Sequence, residues 1–143
     1  NTKNLEISIK SKDNLEFKGG IAVNVGNPHA IFFVNNLEKY NIEKIGPEIE
    51  NHKLFPEKCN VTIANIIDDK NIKVKVWERG AGRTKACGTA ACATAFAGFI
   101  TGMMPNKTNI KFELGDLSIK IENDHTISMC GVVSKIESIQ IKL

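Results

Sequence analysis

The chain has one tryptophan, one tyrosine, four prolines and four cysteines in 143 residues, and no long run of apolar side chains. Without such a run, and without a charged-then-apolar leader, it has no segment suited to spanning a membrane, and a soluble, cytoplasmic protein with no membrane contact is expected. Basic residues do not alternate with aromatic ones. The formal net charge is only +3, and Lys10, Lys12, Lys39, Lys44, Lys70, Lys73 and Lys75 are scattered among acids, so no nucleic-acid surface is implied. There is no Cys-x-x-Cys pair of the kind a structural zinc site wants, and Cys87 and Cys92 do not share one helical face, so no metal is expected. Cys59, Cys87, Cys92 and Cys130 are irregularly spaced, which favours reduced thiols over a disulfide framework. No repeat, linker or low-complexity tract interrupts the chain. Residues 1–143 therefore read as a single domain, long enough to bury a core.

What the sequence does contain is a stretch from Trp77 to Gly102, WERGAGRTKACGTAACATAFAGFITG, around which the remainder is organised. From Gly88 to Ile100 there is no charged residue and no polar stripe at a 3.6-residue period, so a helix here is expected to be enclosed on all sides. Cys87 falls at its front end, where the first N–H groups lack internal partners and favour an anion or a thiolate. Gly80, Gly82 and Gly88 are expected to let backbone approach a ligand, and Thr89 to cap or donate its hydroxyl. An Ala-Cys-Gly in isolation fits an inert buried thiol. Glu78, Arg79, Arg83 and Lys85 are odd company for one, and they argue for a reactive cysteine beside a carboxylate or phosphate pocket.

In chain order, residues 5–10, 15–18 and 20–25 read as three short strands joined by polar and Gly-Gly turns. Pro28 biases Asn27 to an extended conformation, and residues 30–34 form an almost continuous apolar run, as a strand covered on both faces would. Ile42, Ile45 and Ile49 set a helical period that Gly46-Pro47 is expected to break into a first turn and a second short helix. Leu54 and Phe55 are expected to pin the following loop to the core. Residues 60–67 and 72–77 form a hairpin about Asp68-Asp69-Lys70-Asn71, which brings Glu78 and Arg79 to a strand end. Such a Glu-Arg pair is often a surface ion pair; turned inward, the guanidinium fits a carboxylate bidentately. After a helix stop at Thr101-Gly102, residues 109–114, 117–122, 125–130 and 136–142 read as further strands. Together these predict an α+β domain, a strongly bent, largely antiparallel sheet around a central buried helix. His52 and His125 have no functional context and are taken as surface or structural residues.

Trp77-Glu-Arg-Gly-Ala-Gly82 followed by Ala86-Cys-Gly-Thr89 resembles the second cysteine motif of the diaminopimelate epimerases. Gly26-Asn-Pro-His29, Leu54-Phe-Pro56 with Asn60-Val61, and Ser128-Met129 match in order and spacing, over roughly residues 20–135. Arg83 departs from the family pattern, in which glutamate is frequent, and is expected to change the charge near the thiol. The resemblance implies one of two pseudo-symmetric halves, the C-terminal one, with the N-terminal half and its catalytic cysteine absent. It implies cofactor-independent epimerisation of LL- and meso-diaminopimelate, a step toward lysine and peptidoglycan precursors. Cys87 would be one acid/base of a two-cysteine pair, with Glu78 and His29 positioning or tuning the reacting amino acid. Gly88 and Thr89 would bind its α-carboxylate, while Asn27, Asn60 and Arg79 hold the distal end. The implied partners are diaminopimelate, the N-terminal half and a second copy in a homodimer; this fragment alone would be inactive. Three other readings compete: a proline racemase-like enzyme of the same fold, acyl transfer by Cys87 activated by His29, and a non-catalytic anion-binding or assembly module.

Overall fold

A computed structural model describes residues 9–10, 16–133 and 138–141. Two short strands, β1 (Ile9–Lys10) and β2 (Glu16–Phe17), pair antiparallel. The remainder of the strand expected over residues 5–10 lies outside the described residues. The main sheet contains β3 (Ile21–Asn24), β4 (Pro28–Phe33), β5 (Asn60–Ile66), β6 (Asn71–Glu78), β8 (Lys107–Phe112), β9 (Gly115–Ile121) and β10 (Ile127–Gly131), in the order β10-β9-β8-β6-β5-β4-β3. A short strand, β7 (Gly82–Thr84), is added to β6. The pairs β4–β5 and β6–β8 are parallel and the others antiparallel, so the sheet is mixed with an antiparallel majority. Residues 138–141 carry no strand.

Helix α2 (Gly88–Ile100) touches β3, β4, β5, β8, β9 and β10, so the sheet curls around it. Its alanines make that possible: Ala90, Ala91, Ala93, Ala95 and Ala97 are fully buried and let strands approach the helix backbone closely. Gly102, with φ +76°, ends it as a left-handed cap. Helix α1 (Ile42–Glu50) packs on the opposite face of the sheet, against β5, β6 and β7. The sheet thus separates two cores. Ala30, Phe32, Val61 and Ile63 point to the α1 side, and Ile31, Phe33 and Ala64 to the α2 side. Two covered faces explain the uninterrupted apolar run in β4.

Three local expectations fail, each for a packing reason. α1 is one continuous helix, with Pro47 inside it. Asn41 caps it, its Oδ1 accepting from Glu43 N at 2.9 Å, and burial of Ile42, Ile45 and Ile49 outweighs the one ladder bond a proline removes. Gly46 is not a breaker there. A Cβ on it would lie 2.3 Å from Trp77 Cγ, so the glycine serves close approach to the indole. Leu54 is exposed, and only Phe55 packs against the α1 core.

The third failure concerns α2, which is not enclosed all round. Thr89 is exposed and Cys92, Phe96, Phe99 and Ile100 are part-exposed, one stripe at helical spacing. The cause lies in the sheet: β3 and β10 end the strand order without pairing to each other. A cavity of about 370 Å³ lies along this stripe, lined by residues that include Val25, Phe96 and Ile127. No helix among the described residues is long and apolar enough to cross a membrane.

Candidate active site

Cys87 occupies the N-cap position of α2 in an extended conformation (φ −154°, ψ 111°), and its carbonyl accepts the first helical bond from Ala91 N at 3.0 Å. Its side chain makes no capping bond. Gly88 and Thr89 follow as the first helical residues, where backbone N–H groups lack helical acceptors. Met129 on β10 lies directly over Gly88: a Cβ there would be 3.1 Å from the methionine Cε and 3.2 Å from Sδ.

Four side chains from distant parts of the sequence form one run. Cys87 Sγ lies 3.6 Å from Thr89 Oγ1. That hydroxyl accepts from Asn27 Nδ2 at 3.3 Å, and Asn27 Oδ1 lies 3.0 Å from His29 Nε2. His29 is 1 % exposed on β4. Burial lowers its pKa to about 4, opposed by the nearby Glu78 carboxylate and assisted by the Arg79 guanidinium, so the ring is neutral at pH 7. A neutral imidazole facing an amide oxygen carries its proton on Nε2, and its Nδ1 is buried without a partner. Imidazole then donates to Asn27 and Asn27 donates to Thr89, while between the Thr89 hydroxyl and the sulfur either atom can be the donor.

The other flank is the turn after β6. Asn60 is opposite His29 across the parallel β4–β5 pair. Its Nδ2 donates to Pro28 O at 3.1 Å and its Oδ1 accepts from Arg79 N at 2.9 Å. The asparagine therefore ties the two motifs together through its own amide. Glu78 is part-buried at the end of β6, and Arg79 is exposed with Nη1 donating to Glu57 O at 3.0 Å. Of the residues expected to form a site, the structure gathers Asn27, His29, Cys87, Gly88 and Thr89 into one cluster, with Asn60, Glu78 and Arg79 bordering His29.

With φ +75° and +88°, Gly80 and Gly82 turn the chain from β6 into β7, which pairs Trp77 with Arg83. Arg83 lies exposed on β7, with Nη1 at 3.2 Å from Glu43 Oε1 and Nη2 at 3.1 Å from Glu113 Oε2, so its charge is paired with two carboxylates, while Lys85 also pairs with Glu113. A Cys–His dyad is not formed, because His29 Nε2 is engaged by Asn27. All four cysteines are free; Cys59, fully buried, has its pKa pushed up to about 12 by burial and by the Glu50 carboxylate.

One residue here escaped the sequence reading. Glu50 is buried beneath Trp77 and Gly80, and the signal was its spacing of four from Gly46, which sets both on the face of α1 that meets the indole. His125, taken from the sequence as a surface or structural residue, is exposed: with φ +66° it closes the β9–β10 turn and packs edge-on against Phe96 at 5.6 Å beside the open stripe of α2.

A curled mixed sheet on a central helix defines a fold shared with solved structures of the phenazine biosynthesis protein PhzF family. The Bacillus anthracis protein matches with a TM-score of 0.52 at 17 % identity, over 74 % of this chain and 34 % of its own. The Enterococcus faecalis protein matches at 0.53 and 16 %, over 68 % and 35 %. Within that fold, the family model described as Diaminopimelate epimerase matches residues 21–136, and the chain belongs to this family. The diaminopimelate epimerase of Pelagibacter ubique is 57 % identical over 99 % of the chain and 52 % of its own length. Those of Afipia carboxidovorans and Methanococcus maripaludis are 41 % and 48 % identical, over 91 % and 76 % of the chain and 45 % and 40 % of their own lengths. The chain spans about half the length of these relatives.

Proposed function

We propose that this chain is the half of a cofactor-independent diaminopimelate epimerase that carries one of its two acid/base cysteines. The observation that carries the reading is the run of side chains from His29 through Asn27 and Thr89 to Cys87 at the front of α2. An amino-acid α-hydrogen is far less acidic than any side chain at neutral pH, so its removal needs a base held against the C–H bond and stabilisation of the charge that moves onto the carboxylate. The Gly88 and Thr89 N–H groups supply the second through the helix end. Cys87 supplies the first. As thiolate it takes the α-proton and the C–H electron pair delocalises into the carboxylate; a thiol on the opposite face returns a proton to the carbon and becomes thiolate. Nothing is oxidised or reduced, and the centre is inverted.

Glu78 and His29 border the reacting amino acid, with His29 working through Asn27. Asn60 and Arg79 read the distal end of the substrate. The second thiol belongs to a complementary half that covers the open stripe of α2, which supports reading this domain as one of a pair. Such a half would present an apolar surface to Val25, Phe96 and Ile127.

The test is α-proton exchange from diaminopimelate in deuterated water. This chain alone is expected to give none, and the polypeptide with both halves to give steady exchange that Cys87→Ala abolishes. Exchange that survives C87A, or a two-half protein with no exchange, would overturn the reading.

A further inference from the structure

We infer that Glu50 is a positioning residue that sets the Glu78–Arg79 turn for substrate binding. The kinetic part rests on the epimerase reading; the structural part does not. Glu50 is 6 % exposed at the last position of α1, where the helix dipole is negative and a carboxylate is disfavoured. Placing a charge there, out of water, is costly unless its oxygens are needed. Both are used by neutral donors: Oε2 accepts from Trp77 Nε1 at 2.8 Å and Oε1 from Gly80 N at 3.1 Å. A glutamine could accept at only one of its two end atoms, so two converging donors call for a carboxylate.

The bond to Gly80 acts together with its neighbour. Arg79 N is held by Asn60 on β5, Gly80 N by Glu50 on α1, and Ala81 N closes back on Glu78 O at 3.1 Å. Two consecutive backbone N–H groups are thus anchored to different elements. The indole between them is gripped as well, with Gly46 flush against one side and Gly82 beside its far edge, where an added Cβ would lie 3.6 Å from the ring. Glu78 and Arg79 project from a turn whose orientation is fixed by α1, and Glu50 is the link.

The test uses Glu50→Gln in the polypeptide with both halves for kinetics and in this chain for local structure. E50Q is expected to raise KM for diaminopimelate about tenfold with kcat within about threefold, as loss of binding geometry does without loss of the thiol chemistry. Trypsin cleavage at Arg79–Gly80 is expected to accelerate while cleavage at other sites does not. A merely structural role would instead lower thermal stability and active fraction with KM unchanged; unchanged KM and unchanged cleavage at Arg79 would overturn the inference. Should E50Q fail to fold, Trp77→Phe removes the indole donor but leaves Gly80 its acceptor. Slow cleavage at Arg79 and near-normal KM in W77F support action through Gly80, and a loosened turn there would overturn it. A wild-type protein without epimerase activity would sink the functional reading alone, since the cleavage readout stands without it.

Discussion

Cys59 and Cys87 are both buried thiols, one in the core on the α1 side of the sheet and one in the core on the α2 side, and their surroundings differ. Cys59 has apolar neighbours and a carboxylate nearby that hold it as a thiol up to about pH 12, whereas Cys87 stands at a helix end with a hydroxyl beside it. Alkylation with iodoacetamide at pH 8.5, read by peptide mass spectrometry, is expected to leave Cys59 unmodified until the protein is unfolded; rapid native labelling of Cys59 would contradict the packing described. Thr89→Val should lower epimerase kcat by about ten- to hundredfold, as removal of one donor to developing charge does, while Thr89→Ser retains activity. His29 gives a pH signature. Its folded pKa near 4 lies below the ordinary 6.5, so the unfolded chain binds the proton first as pH falls. Its contribution to stability is complete above about pH 6.5 and is lost as pH drops through 4, by up to about 3 kcal/mol at 1.36 kcal/mol per unit. Urea midpoints should fall over this window more steeply in wild type than in His29→Asn.

At the scale of elements, close approach decides more than propensity. α2 is a rod of alanines because strands lie against it on most sides, and Ala93→Leu should cost about 1–3 kcal/mol by overpacking, measured as a lowered thermal midpoint. The β5–β6 hairpin, α2 and its Gly102 stop were legible because each has a local signal: alternation, an unbroken apolar run, a glycine at a left-handed position. The continuity of α1 was not. Gly46-Pro47 carries the local signal of a break, and what overrides it is an indole from β6, brought there by the sheet. β7 was hidden for a related reason, since three residues after a glycine turn carry no strand pattern of their own and only pairing with β6 makes them one.

For the whole molecule the central fact is that the sheet curls but does not close. β3 and β10 leave a stripe of α2 with Phe96 half-exposed and Val25 and Ile127 beside it. A half-open core of this kind is expected to bind a hydrophobic dye and to self-associate when the domain is alone. Both should fall when the complementary half is supplied, as read by dye fluorescence and sedimentation velocity. Unchanged dye binding in the presence of that half would show that it docks elsewhere.

By itself the sequence determined the family, the α+β class, the helix that begins at Cys87 and most of the residues now seen around it, because these depend on local chemistry and on motifs contiguous in the chain. Tertiary structure decided that Arg83 is engaged by Glu43 and Glu113, that His29 reaches Cys87 only through Asn27 and Thr89, and that Glu50 lies under the Trp77 turn. Each of these depends on a contact between residues far apart in the chain. Its direction is set by which strands pair and how far the sheet bends, and a linear pattern does not encode either.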